Sequence, residues 1–406
     1  FREDGRMFYI LTNSRAMDAA ATREAHADIA HNVLKAARET GKAFTLVSRS
    51  DSTLRGHFPL ETHTLRETLE AAGEAPFDGE IICPFFPEGG RFTMGDVHYV
   101  REGDRLVPAG MTEFARDRTF GYASSHLGAW VEEKTGGLFT RENTIYISLE
   151  TLREGGPDAV AAQLGQVSGF RKAVVNAVTY GDLRAFAAGC LLAMARGKRF
   201  LFRTAAALPK VLGGVPDRPL LGRGDFGGRG EGGGLVVVGS HVGRTTRQVE
   251  CLLGRRPELR AVEFRVARAL DPGELEDEIV RVATLAGEAL KAGGALLYTS
   301  REYLDVPGGP EEKLRFSARV SRAVTEAVAR LAVRPAFIIA KGGITSSDVG
   351  VHALRVRKAL VLGQVHPGVP VWRTGVESRF PGMPYVIFPG NVGQDDTLAE
   401  VYAKLA

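Results

Sequence analysis

The stretch LVVVGSHVGRTTRQVE, Leu235 to Glu250, decides how the chain is read. Four apolar residues, Leu235 to Val238, have the length and β-branched character of a buried strand, and Gly239 and Ser240 close it. The same unit returns twice. AFIIAKGGITSSDV (Ala336 to Val349) and YVIFPGNVGQDD (Tyr385 to Asp396) each run from an apolar strand straight into a glycine- and hydroxyl-rich turn. Further strands are expected at Val262 to Phe264, Ala295 to Tyr298 and Ala359 to Val361. Helices fill the gaps, the clearest from Pro310 to Leu331. Strands alternating with helices are the pattern of a parallel α/β sheet.

The first half repeats the pattern. Strands are expected at Phe8 to Leu11, Phe44 to Val47, Glu80 to Cys83, Thr144 to Ile147, Ala173 to Val178 and Phe200 to Phe202. The spacing of Ile29, Val33 and Ala37 predicts a helix over Asp18 to Thr40, with Gly41 ending it. Between the halves lies LGGVPDRPLLGRGDFGGRGEGGG, Leu212 to Gly234, too rich in Gly, Arg and Pro to bury a core of its own. It marks the expected boundary, giving a domain over 1–212, a Gly-rich linker or loop over 213–234 and a domain over 235–406. The fold class is α/β in two domains, each a mostly parallel sheet flanked by helices, with an active site expected in the interdomain cleft.

Composition narrows the function. The 406 residues carry 52 Lys and Arg against 48 Asp and Glu, so no basic surface for nucleic acid is announced. Three cysteines, Cys83, Cys190 and Cys251, lie far apart without CxxC spacing, which fits a reduced, cytoplasmic setting and argues against a zinc cluster. No apolar run reaches membrane-spanning length. The chain opens on Phe1 inside an apparent αβ unit and is read as beginning downstream of the natural start.

Glycines at strand ends let backbone N–H groups approach phosphate oxygens, and in open α/β sheets ligands bind beyond the carboxyl ends of the strands. Gly342, Gly343 and Gly390 are placed for that role, and Ser240, Thr345, Ser346 and Asn391 for side-chain hydrogen bonds. The alternative is three ordinary strand-to-helix turns. Neither GxxxxGK[ST] nor GxGxxG occurs in them. In the first half, SRSDSTLRGHFPLE (Ser48 to Glu61) crowds Arg49, Asp51, Ser52, Thr53 and Arg55 together, with Arg15 at another strand end. Guanidinium groups pair bidentately with carboxylates, so these arginines suit an anionic substrate. Asp51 suits accepting or orienting a hydroxyl for attack on a γ-phosphate. The alternative here is a capping network in which Asp51 or Ser52 starts a helix and Arg55 pairs at its surface. His98, in the long segment Pro84 to Val100, reads as a packed histidine rather than a base.

SRSDSTLRGHFPLE, PEGGRFTMGDVHYV, TEFARD, VGSHVGRTTRQVE, AKGGITSSDV and VIFPGNVGQDDTL, in that order, resemble the four-carbon acid sugar kinase family. The resemblance implies an ATP-dependent kinase, with Mg²⁺, acting on the terminal hydroxyl of threonate, erythronate or 3-oxo-tetronate. It implies a sugar-acid-binding amino-terminal domain and an ATP-binding carboxy-terminal one. Ser240, the Gly342–Gly343–Ile344–Thr345 turn and Gly390, with Asn391 beside it, would meet ATP. Arg15, Asp51, Ser52, Arg55 and Gly56, with Arg49 nearby, would line the acid pocket. Two departures stand out. The family's DDxTGA-like opening turn has no counterpart here, and Asn176 stands where the family often has Asp. The expected partners are the sugar acid and ATP, with a homodimer allowed and neither nucleic acid nor membrane involved. Rival readings are a nucleotide-binding regulatory protein without turnover and a dinucleotide-dependent oxidoreductase.

Overall fold

The computed structural model describes residues 5, 7–227, 232–239, 243–301, 304, 310–390 and 392–406, and divides into two units, 1–216 and 217–406. In the first unit α1 (Ala19–Thr40) starts at Asp18, whose side chain accepts from the Ala21 N–H, and stops at Gly41 in the left-handed region at φ 66°. There follow β1 (Val47–Arg49), α2 (Leu60–Ala71) and β2 (Gly79–Cys83), then the strands β3 (Arg91–Met94), β4 (Val97–Glu102) and β5 (Arg105–Pro108). The unit continues with α3 (Leu127–Lys134), β6 (Ile145–Ile147), α4 (Gly156–Gly165), β7 (Arg171–Val175), α5 (Tyr180–Ala195), β8 (Phe200–Thr204) and α6 (Ala207–Leu212). Its main sheet has the order β1-β8-β2-β7-β6 and every pairing in it is parallel.

All five residues of β2 are buried, because a central parallel strand is covered on both faces. Ile81 and Cys83 face α4 and α5, while Ile82 faces the cluster of Leu54, Phe58 and Trp130. Glu80 of β2 stands opposite Lys172 of β7, and their charged ends meet at 2.7 Å with no exposure. The Lys172 ammonium also lies 4.1 Å over the Phe139 ring and 3.8 Å over Phe170. A charge pair buried at one rung penalises any slip that would separate it, and so favours this register.

The expected strand at Phe8 to Leu11 does not form. These residues belong to no strand and are 47–69% exposed. Apolar character alone therefore misleads there, since a strand exists only as part of a ladder.

The second unit contains β9 (Gly234–Val238), α7 (Gly243–Arg255), β10 (Arg260–Phe264), α8 (Pro272–Ala292), β11 (Gly294–Thr299), α9 (Pro310–Ala329) and β12 (Ile338–Lys341). It closes with α10 (Gly343–Asp348), β13 (Ala359–His366), β14 (Val369–Thr374), β15 (Pro384–Phe388) and α11 (Thr397–Leu405). The sheet order is β10-β11-β9-β12-β15-β14-β13, parallel as far as β15 and antiparallel over the β13–β14 hairpin. Side chains alternate between two cores. Leu235, Val237, Ile338 and Ala340 pack under α8 and α9, whereas Val236, Val238, Ile339 and Phe388 pack under α7 and α11.

The segment expected to be a linker contributes to this second core. Leu221 is 1% exposed and Phe226 7%, both in the cluster with α11, and the Leu221 N–H donates to Gln364 O at 2.8 Å. Glycine-rich chain can bury isolated large residues when the core they join lies elsewhere in the sequence.

Candidate functional site

In the first unit β1 delivers the chain into a turn from Ser50 to Phe58. The Asp51 carboxylate accepts from the Thr53 hydroxyl and from Arg55 Nε at 2.8 Å, with Arg15 Nη1 at 4.0 Å. Burial pushes the Asp51 carboxyl up, but the hydrogen bonds from Thr53 and Arg55 and the charges of Arg55 and Arg15 outweigh it, holding it below the usual range. Asp51 is thus an ionised acceptor at neutral pH and a weak base. The Arg55 guanidinium lies 5.0 Å over the Phe114 ring and places Nη1 3.5 Å from Asp117. No helix begins at Asp51 or Ser52, so the ionic half of the capping alternative forms without the helix; α2 starts only at Leu60.

Three carbonyls of this turn are held by buried donors from remote parts of the chain. His98 Nε2 meets Ser52 O at 2.8 Å, the Tyr122 hydroxyl donates to Thr53 O at 2.8 Å, and Arg203 Nη2 donates to Arg55 O at 3.3 Å. His98 is fully buried, and that burial pushes its pKa down to about 4. It is therefore neutral, with Nδ1 facing the Thr93 hydroxyl at 3.0 Å, and serves as a packed support, as its sequence setting suggests. Arg203 lies against Phe58 and Trp130, which stack on each other at 4.4 Å, its guanidinium carbon 5.3 and 4.6 Å from their ring centres. Leu54 at φ 68° and Gly56 at φ 116° give the turn its left-handed bends, and Gly56 has open space where a Cβ would stand.

Beside the turn lies a cavity of about 450 Å³ lined by Asn13, Arg15, Asp117, Thr119 and Phe120. Of the expected acid-pocket residues, Arg15, Asp51 and Arg55 converge here, with Ser52 and Gly56 in the same turn. Arg49 lies apart, exposed at the end of β1 with its charge acting on Tyr9. Asp117, Arg91, Tyr122 and Arg203 are neighbours that the sequence reading left unassigned. Arg91 carries its guanidinium carbon 5.6 Å from the same Phe114 ring.

In the second unit the three glycine clusters follow three adjacent parallel strands, since Lys341 at the end of β12 pairs in register with Val238 of β9 and Phe388 of β15. Gly342, at φ 119°, donates its N–H to Phe388 O at 2.9 Å. A Cβ on Gly390 would find Gly342 Cα as its nearest neighbour at 4.0 Å, and one on Gly343 would meet nothing. A side chain on Gly390 would thus point toward the backbone of the Gly342 turn. A Cβ on Gly239 would stand only 2.4 Å from Thr345 Oγ1, so any side chain there would displace the Thr345 hydroxyl. Ser346 spends its hydroxyl on Gly342 O at 2.7 Å, while Ile344 is 73% exposed beside the turn. Gln248 of α7 donates to Val392 O and Gln394 O at 3.2 and 2.7 Å, anchoring the third turn. Ser240 and Asn391 lie outside the described residues.

A profile of a sugar-binding N-terminal domain matches residues 1–212, and a profile of a nucleotide-binding C-terminal domain matches 235–398. A D-threonate kinase of Cupriavidus necator is 30% identical over 387 residues, covering 91% of this chain and 81% of the relative. A crystal structure of a Haemophilus influenzae protein superposes with a TM-score of 0.65 at 21% identity, over 95% of this chain and 87% of that one. A Salmonella typhimurium protein, provisionally described as a tRNA synthase, superposes at 0.64 and 18% identity over 89% and 81%. At such identities the two structures speak for the fold alone.

Proposed function

This chain belongs to the four-carbon acid sugar kinase family, and on that premise we propose that it transfers the γ-phosphoryl group of magnesium–ATP to the terminal hydroxyl of a four-carbon sugar acid, threonate or erythronate first. The observation that carries this reading is the meeting of Arg15, Asp51 and Arg55 beside one small cavity. Two guanidinium groups suit a carboxylate, and an ionised carboxylate suits a hydroxyl. The glycine turns of the second unit supply the backbone approach that polyphosphate needs.

Phosphoryl transfer passes through a loose transition state and asks mainly for positioning and charge stabilisation. A low-pKa aspartate fits that demand: Asp51 would orient the attacking hydroxyl rather than remove its proton early. Magnesium arrives with the nucleotide and keeps several waters, so it needs no dedicated protein cage. None of the described residues forms a group of three or more His, Cys, Asp or Glu able to hold a metal. No helix among the described residues is long and apolar enough to cross a membrane.

The test is ADP release from the full chain with ATP alone and with each tetronate stereoisomer. Release that depends on one acid supports the reading. Release equal without any acid, or nucleotide binding without turnover, overturns it. Asp51→Asn adds a second measurement. Its kcat is expected to fall by about 10²-fold, the typical weight of a group that positions a reacting hydroxyl, with a smaller change in KM. Its melting temperature should fall as well. The depressed pKa means that the stability contributed by Asp51 is full above its ordinary value and is lost as pH falls through the lower folded value. The mutant's thermal deficit should accordingly shrink in acid. A destabilised Asp51→Asn enzyme with normal kcat would remove Asp51 from the reaction.

A further inference from the structure

We propose that Lys341 is a phosphate-contacting residue, holding the β- or γ-phosphate of a nucleoside polyphosphate between the Gly342–Gly343 and Pro389–Gly390 turns. This rests on the second unit being the nucleotide-binding one. Lys341 closes β12, the middle strand of the three that carry the glycine turns, and it is wholly buried. Lysine is almost never fully buried unless it is paired. Among the described residues Lys341 has no carboxylate partner. Its ammonium reaches only Pro389 O at 3.2 Å and Gly390 O at 3.4 Å, and lies 4.1 Å over the Phe388 ring. Those distances are long for a charged donor, and an ammonium has three hydrogens to place.

Burial, and after it the charge of Arg244, push the Lys341 pKa down to about 8. Arg244 is exposed on the first turn of α7. The acids on neighbouring elements are engaged elsewhere. Asp348 accepts from Ser321 Oγ at 2.9 Å, Asp395 from Arg247 at 3.0 Å, and Asp396 lies 3.5 Å from Arg255. Tyr385 of β15, the remaining titratable group on the strand beside it, gives its hydroxyl hydrogen to Ser346 O. A buried ammonium without a carboxylate partner among the described residues is unfavourable in the empty protein and complementary to a polyanion. Neither Gly343 nor Gly390 is crowded: a Cβ on Gly343 would meet nothing within 4 Å, and one on Gly390 only Gly342 Cα at 4.0 Å. The competing role is a strap that merely ties the Pro389–Gly390 turn to β12.

Calorimetry on the full chain, wild type against Lys341→Met and Lys341→Arg, separates the two roles. The probes are AMP, ADP, ATP and inorganic phosphate, measured from pH 6.5 to 9.5 beside melting temperature, a range set to span the value near 8. Lys341→Met is expected to bind ADP and ATP about 10–100-fold more weakly, as for loss of a charged hydrogen bond, with AMP little changed and Lys341→Arg partly restored. Its melting temperature at neutral pH should equal or exceed the wild type's, since an uncompensated buried charge is gone. The wild-type affinity for ADP should fall as pH rises through about 8 and beyond, where the ammonium discharges, and the Met variant should show no such fall. Because the folded pKa lies below the ordinary lysine value, the unliganded protein should gain stability over that same rise. Binding of inorganic phosphate as tight as that of ADP would make this an anion site without nucleotide specificity and overturn the assignment. Equal weakening of AMP and ATP together with a lower melting temperature would establish the strap instead. Unchanged ADP affinity in a folded Lys341→Met protein would also overturn it, with the kinase reading intact. A wild type that binds no nucleotide would sink the kinase reading itself.

Discussion

Arg55→Lys is expected to weaken sugar-acid binding by about 2–5 kcal/mol, the usual loss when one partner of a buried charged pair is broken, or roughly 30- to several-thousand-fold in KM. The geometry explains why lysine is no substitute. The guanidinium carbon lies 5.0 Å over the Phe114 ring while its Nε holds Asp51 and its Nη1 faces Asp117, with the side chain 19% exposed. Nη2 has no partner among the described residues, which leaves one nitrogen of the fork for a substrate carboxylate. A lysine carries a point charge on a flexible stem and cannot stack, hold two acids and receive a third group at once. The main effect should be in KM for the acid, with kcat falling less as Asp51 loses its orientation. Steady-state kinetics with melting temperature alongside decide the matter. A folded variant with an unchanged KM would move the acid site away from this turn.

Gly390→Val is expected to raise the KM for ATP by about 1–3 kcal/mol, the cost of overfilling a fitted space, which is roughly 5–150-fold. Gly390 is absent from the residues with left-handed backbone, so valine meets no conformational penalty of that kind. The first added carbon also fits, with its nearest neighbour 4.0 Å away at Gly342 Cα. The two branching methyls would instead fill the gap between the two turns. Melting temperature and the KM for the sugar acid should therefore change little. An ATP KM equal to wild type would mean that phosphate does not pass between these glycines.

Much of this was legible in the sequence where local chemistry decides the outcome. Asp18 and Gly41 mark the ends of α1 because an accepting side chain and a left-handed glycine are local devices. The core strands of the second unit were legible because burial on both faces leaves unbroken apolar runs such as LVVV. β1 was placed too early, since its residues Val47, Ser48 and Arg49 become a strand only by pairing with Phe202 to Thr204 of β8.

The β3–β4–β5 ribbon was hidden inside a segment that reads as loop, yet it left a signal. Gly95 and Asp96, at φ 55° and 64°, make a two-residue turn between β3 and β4, and Gly103 at φ 60° begins the next. The β13–β14 hairpin left a similar mark at Pro367–Gly368. At the candidate site, the Asp51–Arg55 pair was visible because both residues lie in one short motif. The supports from His98, Tyr122 and Arg203 were not, because no spacing rule links residues so far apart.

The three neighbouring strands that bear the glycine turns also bear on how the protein acquires its structure. β9 and β12 lie side by side, yet β10, α8, β11 and α9 all intervene in the chain, and the β13–β14 hairpin separates β12 from β15. Parallel pairing across such stretches must overcome loop-closure entropy before it is rewarded, so these turns come into register late in folding. A ligand that bridges them would find nothing to bind in the transition state. It would leave the folding rate almost unchanged and act on the escape from the native state, lengthening the lifetime of the finished fold.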